Sequence, residues 1–97
     1  MYARVATFEN DPSAVEGAIA RLGENIDAGM PTMPELADAR FLMLADRESG
    51  KMVGITLFDT EEAMRAGDAV MNAGPGAAGR RSAVEFFEVP IHVRIGG

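Results

Sequence analysis

The sequence describes a small acidic chain of 97 residues, of which 47% are hydrophobic and 25% are charged. Nine Lys and Arg side chains against fifteen Asp and Glu give a formal charge of -6, which argues against nucleic acid or an anionic membrane surface as the primary partner. The chain has no cysteine, so disulfides, thiolate nucleophiles and Cys-type zinc sites are excluded. We expect one domain over residues 1–97 and a cytoplasmic location, because we recognise neither a signal peptide nor a membrane span.

The first strand is predicted over residues 2–8, which are rich in Val, Thr and aromatics and are followed by an Asn-Asp-Pro break. Asp11 is expected to cap the next helix with its carboxylate, and Pro12 suits the first helical position because no donor is needed there. Gly29 and Pro31 are expected to end this helix. Its apolar stripe is formed by residues at helical spacing: Val15, Ile19, Leu22 and Ile26.

The middle of the chain is predicted to be a loop followed by a β-hairpin. Residues 30–39 contain two prolines and no clean period, which indicates a loop with room for one helical turn. Residues 40–46 and 51–58 have strand character, and the turn at 47–50 joins them as antiparallel neighbours. Gly50 is expected at the position that requires a positive φ.

A second helix is predicted to run to about Asn72. Either Asp59, with Glu62 three residues later, or Thr60 is expected to cap it. Its apolar face is built largely from small residues, which predicts a close approach to the surface it covers; the face comprises Ala63, Gly67, Val70 and Met71.

The last part of the chain is predicted to be a flexible loop at 74–82 and a long strand at 83–95. The loop matches the dinucleotide-binding pattern G-x-G-x-x-G, but it follows a helix and precedes a strand, the reverse of what phosphate binding needs. The alternation of the strand slips at Phe86 and Phe87, and Pro90 cannot donate a hydrogen bond, so we expect a bulge or an edge position.

The predicted order strand, helix, strand, strand, helix, strand is that of a ferredoxin-like α+β fold, βαββαβ, with a four-stranded antiparallel sheet. Both helices of such a fold cover one face, yet the alternation leaves apolar residues on both faces of the sheet. Leu42 and Leu44 point opposite to Phe41 and Met43, and Val53, Ile55 and Leu57 point opposite to Met52 and Phe58. In the last strand one side carries Phe87, Val89, Ile91, Val93 and Ile95, and the other carries Val84 and Phe86. An exposed face of this composition is unusual for a monomer. We therefore expect a homodimer that packs sheet against sheet.

The hairpin and the segment that follows it, GKMVGITLFDTEEAM at 50–64, resemble small bacterial members of the dimeric α+β barrel superfamily, more narrowly the antibiotic biosynthesis monooxygenase-like group. The resemblance covers nearly the whole chain in topology and residues 40–64 in sequence character. It implies a dimeric α+β barrel and a small apolar or aromatic metabolite as ligand; the group includes cofactor-independent oxygenases, haem-degrading enzymes and proteins with no demonstrated reaction. Relatives often carry Trp where this chain has Phe58, and the chain has no Trp, so the Asn, Trp and His set of the haem-degrading subgroup is not transferred.

Relatives of this fold hold ligands between helix and sheet, which implies an apolar pocket lined by Phe41, Phe58, Met64 and Met71. Tyr2 and Arg4 on the first strand are candidate polar contacts there. The ordinary alternative is that these side chains are core and strand residues.

His92 is the only histidine, and the predicted alternation places it beside Arg94. As catalytic residues, His92 or Tyr2 would accept a proton from the substrate, and Arg94 or Arg4 would stabilise the resulting anion. The alternative is a surface histidine. No metal site is predicted, because a lone His without Cys gives too few ligands, and no cofactor is expected. Two functions stay open: a cofactor-independent monooxygenase, or a non-catalytic dimer that binds a small molecule.

Overall fold

The computed structural model describes residues 1–28, 34–73 and 80–96. Within these ranges the chain forms four strands and two α-helices, which confirms the α+β class. A 3-10 turn precedes the first helix at Pro12–Ala14, and another precedes the second strand at Pro34–Leu36. The elements in chain order are β1 (Tyr2–Glu9), α1 (Val15–Ala28), β2 (Arg40–Ala45), β3 (Lys51–Phe58), α2 (Glu61–Ala73) and β4 (Arg80–Glu88).

The strands form one sheet in the order β2-β3-β1-β4, and every neighbouring pair is antiparallel. The predicted hairpin of β2 and β3 is therefore confirmed, and β4 is an edge strand as expected. At the centre of the sheet, Arg4 lies opposite Thr56 of β3 on one side and opposite Phe86 of β4 on the other. This row of side chains points toward the helices.

The core lies between the helices and one face of the sheet, in two clusters. Val15 and Ala18 of α1 pack on Met52, with Ile19 beside them, so Val15 and Ile19 of the predicted stripe face the sheet. Met64 of α2 packs on Phe58 and Leu36 in the second cluster. Each helix thus covers one end of β3.

The two helices begin differently from each other. Asp11 stands at the start of the 3-10 turn before α1, but its side chain makes no capping hydrogen bond; the N–H of Ala14 donates instead to the Asp11 backbone carbonyl. The predicted carboxylate cap is wrong, because a 3-10 turn supplies the acceptor from the backbone. At α2 the N–H of Ala63 donates to Thr60 Oγ1 over 3.1 Å, so Thr60 is the cap rather than Asp59.

Gly50 adopts φ +83°, as its place in the hairpin turn predicts. Its N–H donates to the Asp46 carbonyl, and its own carbonyl accepts from the N–H of Asn10 at the end of β1. A Cβ at this position would overlap the Asn10 carbonyl. Glycine is therefore required both by the backbone angle and by the close approach of the two segments.

The last strand differs most from the prediction, since it runs from Arg80 to Glu88 rather than over 83–95. The register shifts between Thr7 and Phe8, which leaves Ser82 as the extra residue, whereas Phe86 and Phe87 pair regularly. The bulge therefore lies earlier than expected. The N–H of Val89 donates to the Met1 carbonyl; beyond it the described chain offers no neighbouring strand, and Pro90 has no N–H to donate.

The face of the sheet turned away from the helices, here called the open face, is apolar over most of its area. Ile55 and Leu57 of β3 are half-buried on it, and Leu42, Leu44 and Phe87 are 47–49% exposed. Arg40 lies on this face at the β2 edge, and Glu85 lies on it at the β4 edge. No helix of the described chain is long and apolar enough to cross a membrane.

Candidate ligand-binding cavity

A cavity of about 200 Å³ lies on the helix side of the sheet. It is a half-open pocket bordered by the end of α1, the 3-10 turn before β2, strands β2 and β3, and α2. Its described lining residues are apolar except for one hydroxyl: Ile26, Leu36, Ala37, Ala39, Phe41, Thr56 and Met71.

The register of β2 and β3 places two lining residues side by side. Phe41 lies opposite Thr56, and both point toward the helices because they share the phase of buried Met52 and Phe58. Gly54, the residue before this pair on the same face, leaves room for the Phe41 ring, which a Cβ at Gly54 would touch at 3.5 Å. That distance is an ordinary van der Waals contact, and the tighter approach would be to Met43 Cε at 3.3 Å.

The opposite wall comes from α2, whose position over the sheet is set by Gly67. A Cβ at Gly67 would lie 2.5 Å from the Phe58 ring and 3.3 Å from Leu36, so the backbone of α2 rests directly on the Phe58 side chain of β3. This confirms the close approach predicted from the small residues of the helix. One turn further along, Met71 reaches the cavity.

Thr56 is the polar group of the described lining. It is only 3% exposed, and its hydroxyl donates to the Met71 sulfur over 3.8 Å. A thioether is a weak acceptor, so this hydroxyl is buried with a poor partner.

Arg4 lies next to Thr56 in the sheet but is held by α2 rather than by the cavity. Its Nε donates to Asp68 Oδ1 over 2.7 Å, and its Nη2 donates to Asn72 Oδ1 over 3.2 Å. Asn72 also accepts a hydrogen bond from Arg81 Nη1. The Arg4 side chain is 4% exposed, so its charge is neutralised by Asp68 within a satisfied network, as burial requires.

The other predicted pocket residues lie at different distances from the cavity. Phe41 and Met71 line it. Phe58 and Met64 are buried in the adjoining core cluster, and Tyr2 packs against that cluster while partly exposed. The structure thus brings the predicted aromatic and methionine residues to one end of the molecule, with two of them at the cavity surface.

His92 and Arg94 lie elsewhere. Both are exposed in the segment that follows β4, and neither lines the cavity. The alternation that placed them on one face of a strand does not apply, because β4 ends at Glu88. Their catalytic roles stay a prediction.

Sequence reasoning missed Thr56 and the cavity residues of α1 and the 3-10 turn, among them Ile26 and Leu36. One signal was available for Thr56. It is the polar member of the phase Met52, Gly54, Thr56 and Phe58, whose other members are apolar or glycine. A hydroxyl in such a phase is buried and needs a partner.

The described residues include no group of three or more His, Cys, Asp or Glu side chains placed to hold a metal ion. The clear pKa displacement in the described chain is at Asp46, in the β2–β3 turn, where the N–H groups of Glu48 and Ser49 lower the pKa of the carboxyl below 3.8. This group lies outside the cavity lining.

No protein-family model matches the chain, and a search of the curated proteins finds no match.

Proposed function

We propose that this chain is a small-molecule-binding protein that works as a homodimer, with one apolar or aromatic metabolite held in the cavity of each protomer. The proposed architecture is the ferredoxin-like one of the dimeric α+β barrels, in the manner of the antibiotic biosynthesis monooxygenase-like proteins. The order βαββαβ, the sheet order β2-β3-β1-β4 and the helices on one face support it.

The observation that carries the binding proposal is the composition of the cavity. Six of its seven described lining residues are apolar, and the seventh offers one hydroxyl. Apolar cavities of about 150 Å³ stay dry and bind benzene, so a space of about 200 Å³ suits a ligand with one aromatic ring.

Binding without turnover is favoured over a cofactor-independent monooxygenase. Proton abstraction needs a base within hydrogen-bond reach of the substrate, and the described lining contains no His, Asp, Glu, Lys or Tyr. His92 and Arg94 are exposed beyond β4, and Arg4 is engaged with Asp68.

The homodimer is supported by the open face. A soluble monomer rarely exposes a continuous apolar surface of this extent, and a second copy supplies an equally apolar sheet. The segment after β4 adds three strongly exposed residues, Ile91, Val93 and Ile95, and we include it in the proposed interface. Covering this surface also offsets the small core of a chain of this size.

The charges at the edges of the open face fit a second copy as well. Arg40 lies at the β2 edge and Glu85 at the β4 edge. If the two-fold axis runs parallel to the strands, β2 of each protomer faces β4 of its partner. Arg40 of each protomer then lies near Glu85 of the other protomer, so the dimer contains two such pairs of opposite charges.

The binding proposal is tested by filling the cavity. Ala39→Leu adds three carbons to the lining, whereas Ala66→Leu adds the same atoms to an exposed site on α2. Isothermal titration with α-methylstyrene, a one-ring hydrocarbon, should give saturable binding to the wild type and to Ala66→Leu, and at least tenfold weaker binding to Ala39→Leu. Equal binding by all three proteins, or no binding by the wild type, would reject the cavity as the site.

A further inference from the structure

Thr56 places a buried hydroxyl at the wall of the cavity. Thr56 is 3% exposed, it lines the cavity, and its hydroxyl donates to the Met71 sulfur over 3.8 Å. A hydroxyl carries one proton to donate, and a thioether sulfur is one of the weakest acceptors in proteins. The hydrogen atom is therefore available to a better acceptor placed in the cavity.

We propose that Thr56 selects the ligand by donating this hydrogen bond to a carbonyl oxygen, and that the ligand is a neutral one-ring aromatic ketone. The proposal rests on the binding function proposed above and names its ligand class. When such a ligand enters, the hydroxyl exchanges the Met71 sulfur for the carbonyl oxygen. The acceptor that loses its hydrogen bond in this exchange is the Met71 sulfur, which is a weak one.

The described lining offers one polar side chain, that of Thr56, and the other six side chains are apolar. A second polar group on the ligand that lies against these apolar side chains would find no side-chain partner there, which is unfavourable. A carboxylate is disfavoured further, because the nearest cation in the sheet, Arg4, already pairs with Asp68. The cavity therefore favours a ketone over a diol or an acid of the same size.

The test uses two probes of the same shape, acetophenone and α-methylstyrene, which differ in having C=O or C=CH₂. Net hydrogen-bond contributions of about 1 kcal/mol correspond to about fivefold in affinity. Isothermal titration of the wild type should show acetophenone binding about fivefold more tightly. Thr56→Val keeps the branched shape but lacks the hydroxyl, so it should bind the two probes with equal affinity. Thr56→Ser keeps a hydroxyl, so it should keep the preference for acetophenone.

Infrared spectra give a direct readout of the contact. The carbonyl stretch of bound acetophenone should move to lower frequency in the wild type and in Thr56→Ser, and should stay at its value in apolar solvent in Thr56→Val. Circular dichroism and thermal unfolding check that each variant is folded. Met71→Leu leaves Thr56 intact and removes the competing sulfur, so its preference for acetophenone should equal or exceed that of the wild type.

The outcomes separate this proposal from the binding function. If both probes bind the wild type with equal affinity, or if Thr56→Val keeps the preference, Thr56 does not select the ligand but the cavity remains the site. A Met71→Leu protein without the preference also rejects the role of Thr56. If neither probe binds the wild type, both proposals are wrong.

Discussion

Gly67 determines how closely α2 approaches the sheet. Since a Cβ there would lie 2.5 Å from the Phe58 ring, Gly67→Ala has to displace either the ring or the helix. Overpacking of this kind costs about 1–3 kcal/mol, which exceeds the roughly 0.5–1 kcal/mol that alanine contributes over glycine in a helix. We predict a net loss of stability, measured as a lower urea midpoint with an unchanged slope.

Gly23 of α1 provides the matched control, because a Cβ there would meet nothing within 4 Å. Gly23→Ala should raise the urea midpoint through the same helix preference that is outweighed at Gly67. If the two substitutions have the same effect, the contact with Phe58 does not limit the position of α2.

At the scale of single residues, the sequence predicted which side chains face the helices better than which of them reach the cavity. Phe41 and Met71 were predicted as pocket residues because the resemblance implied a ligand site between helix and sheet, and both line the cavity. Phe58 and Met64 have the same periodicity yet are covered by neighbours, because a period defines a face but not the depth at which a residue lies. Thr56 was missed because its significance depends on the sulfur of Met71, fifteen residues away.

At the scale of elements, the β2–β3 hairpin is closed by a carboxylate. Asp46 Oδ1 accepts hydrogen bonds from the N–H groups of Glu48 at 3.0 Å and Ser49 at 3.4 Å. The Glu48 N–H is the largest cause of the lowered pKa of Asp46, followed by Ser49, with a smaller contribution from Lys51. Because the folded pKa lies below the unfolded value of 3.8, ionised Asp46 stabilises the folded state above that value.

Asp46→Asn should therefore remove a pH-dependent part of the stability. The wild type should be more stable than the variant near neutral pH, and the difference should shrink as the pH falls below 3.8 and through the lower folded pKa. Urea midpoints of both proteins across this range measure the effect. Glu48→Gln is the control, since it removes one negative charge from the same turn and keeps the Asp46 hydrogen bonds; a shrinking difference for both variants would attribute the effect to net charge.

The extent of β4 shows what sequence patterns cannot predict about an element. Residues 91–95 alternate between apolar and polar side chains, which is typical of a strand, and the prediction extended β4 to residue 95 on that basis. A strand also needs a neighbour for its backbone groups, and the described chain offers none beyond Val89. The hairpin was predicted correctly because both of its strands are adjacent in sequence.

At the scale of the whole molecule, the apolar residues fall into two layers, and the described chain covers one of them. The helices bury the phase of Met52 and Phe58, while Leu42, Leu44 and Phe87 stay about half exposed on the open face. The alternation of β2 and β3 predicted this division from the sequence. The structure adds the strand order β2-β3-β1-β4, which places Arg40 and Glu85 at opposite edges of the open face.

These two charges make the orientation of the proposed dimer testable. If β2 of each protomer faces β4 of its partner, Arg40→Glu places like charges together at both edges, and so does Glu85→Arg. Each should weaken dimerisation by about tenfold, or about 1.4 kcal/mol. The double exchange should restore the affinity, because it recreates opposite charges in the reverse sense.

Sedimentation velocity over a dilution series measures these affinities, and Arg65→Glu, on the exposed side of α2, controls for the change in net charge. Weakening by both single variants without recovery in the double variant would mean that the edges do not face each other, so that the axis runs in another direction across the open face. No weakening by either single variant would place both charges outside the interface. A wild type that remains monomeric at micromolar concentration would contradict the dimer itself, and the apolar open face would then have to be covered by a different partner.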